Sequence, residues 1–313
     1  PVRVEGGRNA AFDALTQNSR DVTPDNYRQT TLDLKNDGVP LSFVVNSMMP
    51  ASDIDQIPAV IKSITDGLDK NTTAAFVFGV NTTDDTPSPD FQQKIAEANQ
   101  LIHNLDVPVA VNGYAVSTKN GKFPYGRTRN QVMHDPDTTA VIQGLAANGT
   151  YPYISIQDFD KGARTLENGT HVFDHLETKT RGDADSPARP MMISGGYRVG
   201  DPDDLIERTR ERLEKKATEP DLDQQKLRAI EKGLDKLSTP AGRDQFVQDF
   251  TTAVNEDMRS RDRQATTHPM LPYSPEPNLF IDGLLTLGRP NIRFGDAGAE
   301  FLLLSETLHQ TYG

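Results

Sequence analysis

The sequence predicts an α/β fold with a mostly parallel sheet flanked by helices. Two observations lead there. Between residues 41 and 156, short apolar runs rich in β-branched and aromatic residues alternate with stretches whose apolar residues recur at helical spacing. Proline, glycine and asparagine fall where one kind of stretch gives way to the other. Strands and helices in such alternation form crossover units, which cover both faces of the sheet and leave ligands to the carboxyl ends of the strands.

The first strand is Leu41-Ser42-Phe43-Val44-Val45-Asn46, held between Pro40 and Pro50. Ile54, Ile57, Val60, Ile61, Ile64 and Leu68 then line one face of a helix, with Ser52 or Asp53 as its cap. A second strand over 74–80, a helix over 88–104 and a third strand over 107–111 continue the series. Helix follows over 128–147, interrupted before Asp135-Pro136, where aspartate caps and proline takes the first helical position. The fourth strand occupies 151–156 and delivers Asp158 and Asp160 to a carboxyl end.

Around this series the chain divides into four. Residues 1–38 are polar and rich in turn formers, which predicts an N-terminal arm or short helices; 39–200 form the ligand-binding α/β region. Within it, 190–194 read as a strand that leaves through Gly195-Gly196-Tyr197 into a tight turn. Residues 201–262 carry narrow apolar stripes among many charges, predicting two or three solvated amphipathic helices. Residues 263–313 are a C-terminal segment that completes the site, ending in a helix that begins at Phe301.

Composition narrows the chemistry. At 313 residues the chain can bury a sizeable core, and 35% hydrophobic with 25% charged residues describes a soluble globular protein. A net charge of -12 disfavours a duplex nucleic acid as partner, because phosphates need a basic face. With no cysteine, thiolate nucleophiles, disulfides and thiolate metal sites are excluded, leaving carboxylates, histidines and hydroxyls. No run approaches the roughly 18 to 20 apolar residues of a membrane span. The compartment stays open, with the cytoplasm slightly favoured over secretion. Dinucleotide-binding, P-loop and nucleophile-elbow motifs are absent.

Asp158-Phe159-Asp160 sets two carboxylates on alternate residues just past an apolar strand. Oxygen ligands of this kind suit Mg²⁺ or Mn²⁺, which takes its remaining ligands from water and substrate phosphates, so a diphosphate is the natural co-ligand. Over about residues 40–165 the chain resembles the GT-A glycosyltransferases: Asp158-Phe159-Asp160 looks like their DxD element, and Gly126-Arg127-Thr128-Arg129-Asn130 like the Arg-Asn helix start upstream of it. A helix N-terminus and guanidinium forks there would oppose the charge of a nucleotide diphosphate as the sugar leaves, Arg129 first and Arg127 second.

The resemblance implies a GT-A-like fold with a helical C-terminal acceptor region, a UDP- or GDP-linked sugar donor and an Mn²⁺ or Mg²⁺ cofactor. It also implies that the ends of the first two strands hold the nucleoside, at Asn46 and at Asp84 or Asp85, and that His268 is a third metal ligand. Asp282 and Glu300 are the acids expected to activate the acceptor or contact the sugar. The function expected is metal-dependent sugar transfer to an unidentified small molecule, glycan or protein. A nucleotidyltransferase is the alternative enzyme, although Ser47-Met48-Met49-Pro50 stands where its Gly-rich loop would follow the first strand. A non-enzymatic carbohydrate- or protein-binding module is the third reading.

Overall fold

The computed structural model describes residues 2–68, 71–84, 86–116, 125–158, 192–197, 202–219, 223–262, 271–274 and 279–290. Its strands are β1 (Val2–Arg8), β2 (Leu41–Pro50), β3 (Thr73–Thr82), β4 (Val109–Ala115), β5 (Tyr151–Asp158), β6 (Met192–Tyr197), β7 (Leu271–Ser274) and β8 (Leu279–Asp282). They form a mixed sheet in the order β1-β4-β3-β2-β5-β8-β6-β7. The helices are α1 (Ala10–Thr16), α2 (Tyr27–Asn36), α3 (Ile57–Thr65), α4 (Pro89–Ile102), α5 (Tyr125–Met133), α6 (Pro136–Ala147), α7 (Pro202–Ala217), α8 (Gln224–Ser238), α9 (Pro240–Asp262) and α10 (Gly283–Gly288).

The central strands β4, β3, β2 and β5 are parallel, and almost every side chain described in them is buried. A strand covered on both faces must be apolar throughout, which is why these runs do not alternate. Phe43, Phe76, Phe78, Tyr151, Tyr153 and Phe280 are fully buried. Each contributes on the order of 1.5–3 kcal/mol of hydrophobic stabilisation before entropy is charged against it.

The helices cover opposite faces. Ile57, Val60, Ile61 and Ile64 are the buried stripe of α3, and Phe91, Ile95, Ala98 and Ile102 that of α4. Ser88 starts α4 by accepting the Phe91 N–H, with Pro89 in the first turn. Asp135 caps α6 in the same way through the Asp137 N–H, 2.8 Å away, and Pro136 follows as expected. Gly113 of β4 packs against Phe91 and Ile95 of α4, whereas Gly79 of β3 packs against Val132 of α5. Gly79 lies in register with Asn112, the neighbour of Gly113, so α4 and α5 occupy opposite sides.

Two regions differ from the sequence expectation. Residues 2–38 contain the short helices expected as one alternative, α1 and α2, but are built into the fold: Phe12, Leu15, Tyr27 and Leu34 are buried, and an unexpected strand, β1, pairs antiparallel with β4. The polar alternation of Val2–Arg8 conceals the strand, whose partner lies about a hundred residues on. Gly195-Gly196-Tyr197 is not a turn but the end of β6, with Gly195 opposite Leu271 and Tyr197 opposite Ser274. Among the described residues the charged region forms the helices α7, α8 and α9; Lys236 to Asp249 at 2.9 Å and Arg243 donating to the Leu237 carbonyl at 2.9 Å join α8 to α9. Among the described residues no helix is long and apolar enough to cross a membrane.

Candidate functional site

Strands β2, β3 and β4 advance in one direction across the sheet, and the chain then returns through α5 and α6 to enter β5 on the other side of β2. The strand order therefore reverses between β2 and β5. At such a point the helices leave toward opposite faces and open a crevice beyond the carboxyl ends of the strands, where α/β sheets bind ligands. β2 and β5 run in parallel register from Leu41 opposite Tyr151 to Met48 opposite Asp158. Asp158 is thus the last residue of β5, at the reversal. Asn81 pairs with Pro50 and Thr82 with Ala115, so the ends of β3 and β4 lie along the same rim.

Asp84 follows β3 in an exposed turn. Its backbone N–H donates to the Thr82 hydroxyl at 3.3 Å, and that hydroxyl lies 3.2 Å from the Asp84 carboxylate. Asn46 sits deeper, 4% exposed, and donates from Nδ2 to the Val132 carbonyl at 3.3 Å and to the Thr138 hydroxyl at 3.0 Å. Its Oδ1 has no hydrogen-bond partner. The amide nitrogen is spent on fastening β2 to α5 and α6, so the side chain anchors the rim from beneath.

Arg127, Arg129 and Asn130 all lie on α5, half-buried, while Thr128 and Val132 are buried. The helix crosses β2 and β3. A Cβ at Gly79 would overlap Val132 and Met48, so the missing side chain is what lets α5 lie this close to the sheet.

Asp282 lies elsewhere. It pairs with Tyr153, five residues before Asp158 on β5, which puts the two aspartates about 16 Å apart along the strand. Its carboxylate accepts the Tyr151 hydroxyl at 2.6 Å and the N–H groups of Leu284 and Leu285 at 2.9 and 3.2 Å, capping α10. Burial raises its pKa above the usual carboxylate value, although these three hydrogen bonds pull the other way. Tyr151 is raised as well, by burial first and then by the charge of Asp282. The structure gives Asp282 the work of a joint at the amino ends of the strands and does not bring it to Asp158.

Asp85, Asp160, Glu300 and His268 lie outside the described residues. Among the described residues no group of three or more His, Asp or Glu side chains is placed to hold a metal. Carboxylates of the kind at Asp158 and Asp160 offer hard oxygens, the ligand type that would fit Mg²⁺ or Mn²⁺.

Sequence reasoning missed a polar network beside the rim, in which buried carboxylates meet partly exposed arginines. Arg3 donates to Asp135 at 2.7 Å and to Asp137 at 3.4 Å, and Arg8 Nε donates to Asp137 at 2.7 Å. Asn112 donates to Asp137 at 2.8 Å, and the Tyr114 hydroxyl donates to Asp135. Burial raises the pKa of Tyr114, with the Asp135 charge adding to it. For Arg3, burial works against the charge, but the hydrogen bond and charge of Asp135 prevail and hold the guanidinium above the usual arginine range. The one signal in the sequence is Asp135-Pro136-Asp137, read there only as a helix start.

No family model and no curated protein matches the chain. Among solved structures it is similar to the mannosyltransferase Ktr4p from S. cerevisiae, at 11% identity and a TM-score of 0.25, over 64% of this chain and 60% of that one. The chain thus spans less than two thirds of the length of that structure.

Proposed function

We propose that the chain is a metal-dependent glycosyltransferase that uses a nucleotide-diphosphate sugar. One observation carries the reading: Asp158 ends β5 at the point where the strand order reverses, and the sequence sets a second carboxylate two residues further on. Asp158 and Asp160 are the residues that would hold Mg²⁺ or Mn²⁺, with His268 as a further ligand. The bound cation would supply neutralisation of a leaving diphosphate.

The remaining work belongs to the chain. Arg129 and Arg127 on α5 would face the diphosphate with bidentate donors, while Asn130, the rim residue Asp84 and Asp85, which follows it in sequence, would orient the nucleoside. Glu300 would take the proton from the acceptor hydroxyl. The position of Asp282 at the amino ends leaves it out of this assignment.

The test is a thermal-shift and donor-hydrolysis panel with UDP and GDP and their sugars, with and without Mn²⁺. Mn²⁺-dependent stabilisation by one nucleotide is expected, together with slow release of free nucleotide from its sugar. The double variant Asp158→Ala, Asp160→Ala should lose both while melting near the parent temperature. A panel that neither shifts melting nor releases nucleotide would sink the proposal.

A further inference from the structure

Helix α5 is held at its carboxyl end by one carbonyl. Val132 O accepts from the Thr138 hydroxyl at 2.7 Å, the Asp135 N–H at 3.2 Å and Asn46 Nδ2 at 3.3 Å. Through Asp135 that junction is tied to β4 by Tyr114 and Asn112, and to the N-terminal strand by Arg3. Four elements thus converge on the end of the helix that carries Arg127 and Arg129.

The contribution of β1 depends on a bulge. Arg3 lies opposite Tyr114 and Arg8 opposite Ala110, but the register shifts between Val4 and Gly7. In a regular strand residues five apart point to opposite faces. The extra residue restores the parity, so Arg3 and Arg8 both reach the face where Asp135 and Asp137 lie. The bulge is built from Gly6 and Gly7 because no Cβ fits: at Gly6 it would overlap the Val111 carbonyl oxygen and at Gly7 the Asn99 amide. The Gly6 N–H is taken up by Asn112 Oδ1 at 3.3 Å.

We propose that Arg3, acting through Asp135, is a positioning residue for the arginine helix of the donor site. This makes β1, in a region first read as an arm or short helices, part of the machinery that sets Arg127 and Arg129 relative to Asp158. The role in donor binding rests on the function proposed above. The anchoring of α5 does not.

The test is hydrogen–deuterium exchange on the full chain, comparing Arg3→Met and Arg3→Lys with the parent, with nucleotide–Mn²⁺ affinity measured in parallel. For Arg3→Met, amides of 127–134 should exchange at least tenfold faster while those of α3 stay unchanged, and affinity should fall about tenfold or more. Arg3→Lys retains the charge without the fork and should lie between the two, which also covers the case in which the methionine variant is too unstable to fold. Parental protection of 127–134 in a folded variant would overturn the proposal, as would equal acceleration in α3 and α5. If exchange responds and the parent binds no nucleotide, the donor reading fails and the anchoring stands.

Discussion

The hydroxyl of Tyr151, the first residue of β5, donates at 2.6 Å to the carboxylate of Asp282, the last residue of β8. Both groups are almost wholly buried, so this contact joins a late segment of the chain to the central sheet with no water to substitute for it. Tyr151→Phe should cost about 1–3 kcal/mol in urea unfolding, the usual effect of removing one partner from a buried hydrogen bond to a charged group. Nucleotide affinity should be unaltered, since the joint is remote from Asp158; a loss of binding larger than the loss of stability would contradict this placement.

The same carboxylate sets a pH dependence opposite to that of most aspartates. Its folded pKa lies above the ordinary value of 3.8, so the native state binds its proton more tightly than the unfolded state does. Its favourable contribution is complete below the ordinary value and is lost as pH rises through the folded one. Relative to Asp282→Asn, which does not titrate, the parent should therefore lose stability as pH rises from the acid side toward neutrality. Urea midpoints of both proteins across that range give the answer, and a parent that gains stability relative to the variant over it would refute the sign.

Gly79 tests how closely α5 must lie on the sheet. Gly79→Ala introduces a methyl group where Val132 and Met48 already sit, an overpacking that costs about 1–3 kcal/mol. Because the displaced element carries Arg127 and Arg129, nucleotide affinity should also fall. Gly38→Ala is the control: its glycine has φ of 62° with nothing nearby, so about 1–2 kcal/mol of backbone strain should appear without any change in binding. Equal binding by the two variants would detach α5 from the donor site.

The two arginines should differ from lysines in kind. Arg129→Ala and Arg127→Ala are each expected to weaken nucleotide-diphosphate binding by about 1.5–3 kcal/mol, the range for charge-assisted hydrogen bonds. Lysine at either position should restore only part, because it carries the charge without the planar fork. Titration calorimetry with UDP and GDP in Mn²⁺ would read the difference, and full recovery by lysine would indicate a general field instead of bidentate contact.

The central fold was legible because its signals are local. Phe43 through Val45, the Ile57, Val60, Ile61 and Ile64 stripe and the Asp135-Pro136 cap each declare their element within a few residues. β1 was not legible, since its stability comes from a ladder and ion pairs to residues more than a hundred positions away, and no window on Val2–Arg8 contains them. Gly195-Gly196 misled for a related reason: glycine favours turns locally, but pairing with β7 on either side, at Gly195 and Tyr197, keeps the segment extended. Order along the chain was enough to put Asp158 at the carboxyl end of its strand and Arg127 and Arg129 on the helix before it. Asp282 was indistinguishable from an active acid, because the Tyr151 hydroxyl that it accepts comes from 131 residues away and only the fold brings it there; its cap on Leu284 and Leu285 is local.

The bulged strand also has a bearing on synthesis. Arg3 leaves the ribosome well before Asp135, which is made 132 residues later. At about 5–20 residues per second, the two arginines wait for roughly ten seconds without the carboxylates they serve. Through that interval Val2–Arg8 is a charged, glycine-containing segment of low β-propensity, poorly suited to pairing with another nascent chain. The features that hid it from sequence reading would keep it available until β4 and the start of α6 are complete.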